Sequence, residues 1–229
     1  MPTIAFVSPK GGVGKTTSAL LIACELAAHY DVTVIDADPN RPIEDWATGG
    51  NKPARMRIVS DADEDNILDK IEDSAAETPF VLIDLEGSAA KIVILAVSQA
   101  DFVIIPMQGS DLDAKQGARA IGVITQHERM TKRKMPYAVL MTRTSPLIRD
   151  RNTAHVVNRI QANKIPMFEA ELNERQAFKS IISTQQTLSG LTEKDAPNLV
   201  NAKLNVLEVT TELLSKLKAI SQGDRAEVA

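Results

Sequence analysis

Apolar residues along this chain fall into short continuous runs separated by stretches of helical spacing. Thr3-Ile-Ala-Phe-Val-Ser8, Val32-Thr-Val-Ile-Asp36 and Arg57-Ile-Val59 read as strands, as do Phe80-Val-Leu-Ile-Asp84, Asp101-Phe-Val-Ile-Ile-Pro106 and Tyr137-Ala-Val-Leu-Met141. These runs do not alternate apolar with polar positions, so the sheet they form is covered on both faces and mostly parallel. Between Ser18 and His29, Ala19, Leu20, Ile22, Ala23, Leu26 and Ala27 recur at helical spacing. Further helical patterns cover about 63–76, 88–99, 112–128 and 150–163. A last amphipathic helix is expected over 195–220. Asp195 and Pro197 are its start signals, and Val206, Val209, Leu213, Leu217 and Ile220 form its apolar stripe. The alternation predicts an α/β fold: a doubly wound, mostly parallel sheet flanked by helices, with ligands at the carboxyl ends of the strands.

The chain has 229 residues, 44% of them hydrophobic, enough to bury a full core. One domain over 1–221 is expected, followed by a polar, frayed tail over 222–229. Aromatic residues make up only 3%, which predicts an aliphatic core and argues against stacking platforms for single-stranded nucleic acid. The single cysteine, Cys24, lies on the apolar face of the first helix and reads as a small core residue. His29, His127 and His155 are far apart in sequence and lack partners at ligand spacing, so no zinc site is expected. Neither a signal peptide nor an apolar run of about 18 residues is present, which predicts a soluble, cytoplasmic protein.

Candidate chemistry begins between the first strand and the first helix. Lys10, Gly11, Gly12, Val13, Gly14, Lys15, Thr16 and Thr17 form a glycine-rich turn in strand–loop–helix context. Glycine tolerates positive φ, so successive N–H groups can point inward and cradle phosphate oxygens, aided by the positive end of the helix. In such a phosphate-binding loop Lys15 reaches the β and γ phosphates of a nucleotide, and the Thr16 hydroxyl ligates Mg²⁺. The fourth strand ends in Val81-Leu-Ile-Asp84-Leu-Glu-Gly87, an apolar run that delivers one carboxylate, Asp84, to the metal and leaves Gly87 free to move toward the γ-phosphate. Glu86 either assists the attacking water or faces solvent.

The loop departs from the ordinary pattern, since Pro9 stands where the first glycine belongs and a second lysine, Lys10, opens the turn. The string KGGVGKTT resembles the deviant Walker-A ATPases of the ParA/MinD group, a branch of the P-loop NTPases. The second strand's Asp36-Ala-Asp38-Pro39-Asn40 resembles that family's DxDPQ segment. The resemblance implies that Lys10 reaches across an ATP sandwich dimer to the nucleotide held by the partner. It also implies that Asp38 carries hydrolysis and, with Asp36, supports the Mg²⁺ shell. Pro106 to Asp113 then form a dimer-facing loop, and Thr142-Arg143 hold the adenine edge. Trp46 matches a tryptophan of small family members, and its large indole suits packing a short helix.

Charge adds a partner to this picture. The net charge is −4, yet Arg129 to Lys179 carries 11 basic and four acidic residues, a net of +7 against −11 for the remainder. Such asymmetry marks a possible polyanion face. The resemblance implies non-specific DNA binding switched on by ATP-dependent dimerisation, and release when a small centromere-binding partner protein stimulates slow hydrolysis. It is closest to small plasmid partition ATPases, nucleoid-associated in the cytoplasm, without an N-terminal helix-turn-helix domain. A related ATPase that positions a protein cargo or serves conjugative DNA transfer remains the alternative. A MinD-like membrane cycler would end in a basic amphipathic helix. The end here is polar and mixed, so no stable membrane association is expected. A nitrogenase-reductase-like carrier would need bridging cysteines, and one cysteine excludes it.

Overall fold

Every strand expected from the apolar runs forms, and a seventh joins them. The computed structural model describes residues 1–86, 90–147 and 150–227. Its strands are β1 (Thr3–Phe6), β2 (Val32–Ala37), β3 (Met56–Val59), β4 (Phe80–Leu85), β5 (Phe102–Met107), β6 (Tyr137–Thr144) and β7 (Leu172–Asn173). They form one sheet in the order β3-β2-β4-β1-β5-β6-β7, and every pairing is parallel. The helices are α1 (Lys15–Leu26), α2 (Pro42–Ala47), α3 (Ile67–Glu77), α4 (Ala90–Gln99), α5 (Asp111–Thr131), α6 (Arg151–Ala162), α7 (Gln176–Ser183) and α8 (Leu199–Glu227).

Alternate strand residues feed two separate cores. Ile4 and Phe6 of β1 pack with α1, α2, α7 and α8, whereas Ala5 and the adjoining Val7 pack with α3 to α6. This is why the strands read as unbroken apolar runs: both faces need them. Trp46 is buried on the short α2, where its indole N–H donates to the Gln186 carbonyl at 3.1 Å.

Several boundaries differ from the sequence reading for local reasons. β1 stops at Phe6 because the chain turns into the glycine-rich loop. α3 starts at Ile67, since the Asp63 carboxylate accepts the N–H groups of Asp65 and Asn66 and closes a turn first. α8 starts at Leu199. Asp195, expected to start it, instead accepts the N–H and hydroxyl of Thr192, and Glu193 accepts the N–H groups of Asn198 and Leu199. The helix then runs on to Glu227, through most of the segment expected to be a polar tail. β7 and α7 lie in a stretch where no element was expected.

Four of the five residues of the expected α8 stripe, Val206, Val209, Leu213 and Leu217, enter the core beside α1, and Ile220 packs against it partly buried. Burial of Leu213 is complete, whereas Leu204 on the opposite side of the helix is 55% exposed. Leu213→Ala is expected to lower the unfolding free energy by about 2–5 kcal/mol in a urea titration. Leu204→Ala should change it by less than about 0.5 kcal/mol.

Candidate nucleotide-binding site

β1 lies between β4 and β5, so the loop that follows it emerges where the sheet's winding reverses, the usual ligand position in such folds. Gly12 (φ 76°) and Gly14 (φ 94°) hold left-handed backbone, which turns successive N–H groups to one side. Gly14 is also the N-cap of α1, and no side chain caps this helix, so its first N–H groups stay open to an anion. Two carbonyls on the other side of the loop are tied back. Gln108 Nε2 donates to Gly12 O at 3.0 Å, and Thr142 Oγ1 donates to Val13 O at 2.7 Å. The cleft over the loop, about 420 Å³, is completed by Asp38, Asn40, Glu86 and Arg143.

The acidic groups arrive by strand register. Asp36 on β2 is the direct neighbour of Asp84 on β4, and Asp84 is level with Phe6 on β1, just before the loop. Asp84 is fully buried, and neither of its oxygens has a hydrogen-bond partner of normal geometry. Burial pushes its pKa up to about 7, with the Thr16 hydroxyl and the Lys15 ammonium pulling it down and Asp36 and Asp38 pushing it up. An orphaned carboxylate beside Thr16 suits Mg²⁺, a cation that takes one or two protein oxygens and draws the rest from phosphate and water. Among the described residues no cluster of three acidic, histidine or cysteine groups could hold a metal without such help.

Asp36 has a second task. Its Oδ2 accepts the N–H groups of Ile43 (2.8 Å) and Glu44 (3.0 Å), capping α2 from the strand because the N-cap residue Arg41 offers no side-chain bond. Its Oδ1 is buried without a partner, and burial raises its pKa against the pull of those N–H groups. Asp38 is half-buried at the cleft, where its Oδ1 accepts the backbone N–H and the side-chain Nδ2 of Asn40, both at 2.9 Å.

Lys10 turns toward its own chain. Its ammonium lies 2.7 Å from Oδ1 of Asp113, a side chain only 1% exposed at the start of α5. Ser110 caps that helix, accepting the Asp113 N–H at 3.2 Å, and its hydroxyl also meets the Asp113 carboxylate. Sequence reasoning marked the Pro106–Asp113 loop but not this pairing, nor Gln108; the only local signal was the Ser110-x-x-Asp113 capping pattern.

Thr142 and Arg143 part company. Thr142 is buried under the loop with its hydroxyl committed to Val13, while exposed Arg143, at φ 53°, lines the cleft. A second pocket of about 220 Å³ continues from Gly14 past Arg143 to Asn173, Glu174 and Arg175, at the unforeseen end of β7. Cys24 is half-buried and its thiol is pushed up to about 12 by burial, which makes it inert.

The basic segment divides between the two ends of the sheet. Arg129, Lys132, Arg133 and Lys134 end α5 and precede β6, at the edge away from the cleft. Arg143 near the end of β6 lines the cleft, Arg175 and Lys179 after β7 line the second pocket, and Arg151 opens α6. Some of the charge is met locally, by Lys179 with Glu174 (2.7 Å), Arg159 with Asp111 (3.3 Å) and Arg133 with Asp101 (3.9 Å). Gly87, expected near the γ-phosphate, and Arg149 of the basic segment lie outside the described residues. None of the described helices is long and apolar enough to cross a membrane.

Comparison with known proteins bears on the family and the fold. The profile of the VirC1 protein family matches residues 1–221. Protein ParA of Rhizobium radiobacter is 33% identical over 222 residues, covering 95% of this chain and 100% of that one. The maintenance of carboxysome distribution protein A of Halothiobacillus neapolitanus is 26% identical over 182 residues, covering 79% and 83%. Among solved structures, the ATP complex of an aspartate-to-alanine variant of McdA from Cyanothece superposes with a TM-score of 0.71. It covers 94% of this chain and 96% of that one at 18% identity, a likeness of fold. With a family profile spanning nearly its whole length, the chain belongs to the VirC1 family, within the ParA/MinD group of deviant Walker-A ATPases.

Proposed function

We propose that this chain is a partition ATPase that distributes a plasmid or comparable DNA cargo, binding non-specific DNA as an ATP-bound dimer. The full-length match to ParA of Rhizobium radiobacter carries that reading. In it, the inward N–H groups of residues 11–16 and the Lys15 charge hold the phosphates of ATP. Thr16 and Asp84 would hold Mg²⁺, with Asp36 supporting its shell; when bound, the cation would neutralise charge on the phosphates. Asp38 leaves its turn with Asn40 to orient the attacking water. Lys10 exchanges Asp113 for the nucleotide of a second subunit, and a small centromere-binding protein stimulates turnover. The similarity to a carboxysome distribution protein supports a second reading, in which the same cycle positions a protein cargo.

Lys15→Ala is expected to weaken ATP binding by about 100-fold or more, because it removes the cation facing the phosphates. Asp38→Ala should bind ATP within about threefold of wild type yet lose about 100-fold in turnover, since its carboxylate acts in the transition state. Nucleotide titration and phosphate release separate the two. Wild-type turnover by Asp38→Ala would shift the water-orienting role to Glu86.

Asp84→Asn tests the metal site from the stability side. A carboxyl whose folded pKa is raised is penalised for ionising, so the penalty grows as pH rises from about 4 and is complete above about 7. Asn carries no such penalty. Thermal melts without nucleotide should therefore show Asp84→Asn more stable than wild type by a few degrees at pH 8 and by less at pH 5. The same variant should lose Mg²⁺-dependent ATP turnover.

DNA binding follows from the basic groups beside the cleft, which an ATP sandwich brings together from two subunits. Affinity in an anisotropy titration should need ATP, ignore base sequence, and fall with salt by a log–log slope of about −0.9 per phosphate contacted. Replacing Arg149, Arg151 and Lys179 together by Glu should weaken it while ATP binding stays intact. Binding that ignores both ATP and salt, or no binding at all, favours the protein-cargo reading.

A further inference from the structure

A phosphate-binding loop works only if its N–H groups face the ligand, and each peptide that turns its N–H inward turns a carbonyl outward. An outward carbonyl buried against the protein needs a donor, or the peptide gains by flipping. In this chain the donors are side chains from the next two strands toward the β7 edge. Thr142, on the last turn of β6, is 3% exposed and reaches Val13 O at 2.7 Å; its other oxygen neighbour, Met107 O, is farther at 3.3 Å. One hydroxyl has one proton, so the shorter contact to Val13 takes it. Gln108, directly after β5, donates from Nε2 to Gly12 O at 3.0 Å in a more exposed position. Consecutive carbonyls of the loop, at Gly12 and Val13, are thus fixed by two independent side chains, at the residues whose neighbours Gly12 and Gly14 hold left-handed backbone.

We propose that Thr142 and Gln108 are positioning residues for the nucleotide: they hold the Val13 and Gly12 carbonyls outward so that the loop's N–H groups meet the phosphates. Thr142 then serves the phosphate end of the ligand, not its adenine edge, although with Arg143 it also lines the second pocket. The proposal rests on the reading of this loop as a phosphate site. It also gives the β5–α5 segment a double grip on the loop, through Gln108 on Gly12 and through Asp113 on Lys10.

The test compares ATP with inorganic tripolyphosphate, a probe that has the phosphates and lacks the base, by calorimetric titration of the full chain. Thr142→Val keeps the shape and removes the donor. It should raise the Kd of both probes by about tenfold, because the Val13 carbonyl is buried and cannot recruit water. Thr142→Ser should restore both to within about twofold. Gln108→Met should raise both Kd values by about threefold, since water replaces a donor at an exposed carbonyl. A Thr142→Val effect on ATP alone, with tripolyphosphate unchanged, places the residue on the base and overturns the proposal. So does a lowered Tm with both Kd values unchanged, which is a purely structural role. If wild type binds neither probe, the phosphate reading itself fails and the proposal with it; if wild type binds and all variants match it, only the proposal fails.

Discussion

Parallel pairing sets Asp36 on β2 level with Asp84 on β4, and Asp84 level with the end of β1. A one-residue slip would send either side chain to the other face of the sheet. Register is therefore what sets two carboxylates beside the loop's threonine hydroxyl and lysine at the carboxyl end of the sheet. It holds because each strand feeds both cores, so a slip would expose apolar groups on both sides. The buried carboxylate that results is costly to ionise, and the surrounding sheet is what keeps it there.

The loop is flanked by two acid–lysine relationships of different kinds. Lys15, in the first turn of α1, is buried and acts on Asp84 through space. Lys10, at the other end of the loop, makes a direct ion pair with buried Asp113. Removing Lys10 leaves the buried Asp113 carboxylate without its partner, which costs more than the pair contributes when intact, whereas removing Lys15 lets Asp84 take a proton more readily. Between the lysines, Gln108 and Thr142 fix the loop's carbonyls, so the segment is held along its length by groups from β4, β5, α5 and β6.

Much of this was legible in the amino-acid order. Unbroken apolar runs gave six strands and their parallel pairing, and the string from Lys10 to Thr17 gave the loop. Asp36, Asp38 and Asp84 were marked by their places at strand ends. What escaped was long-range or aperiodic. β7 has two residues, too few to show a period, and depends on the edge of β6 for its form. Glu193 caps α8 from a loop, so the nearer Asp195 and Pro197 misled. The partners of Lys10 and Val13 lie 103 and 129 residues away, beyond any local spacing rule. The basic segment read as one patch because sequence places its members together, whereas β6 runs between its two groups and sets them at opposite ends of the sheet.

The packing of α1 against α8 ties the phosphate loop's helix to the last described element of the chain. A ribosome delivers Lys15 early and Leu213 almost 200 residues later. Until then the side of α1 that meets Val209 and Leu213 stays wet, and the helix lacks the neighbour that fixes its axis. The β-α units can pair as they emerge, but the phosphate cradle becomes rigid only once α8 has emerged to pack on α1. A nascent chain thus carries every residue of its nucleotide loop long before it has a firm place to hold a nucleotide.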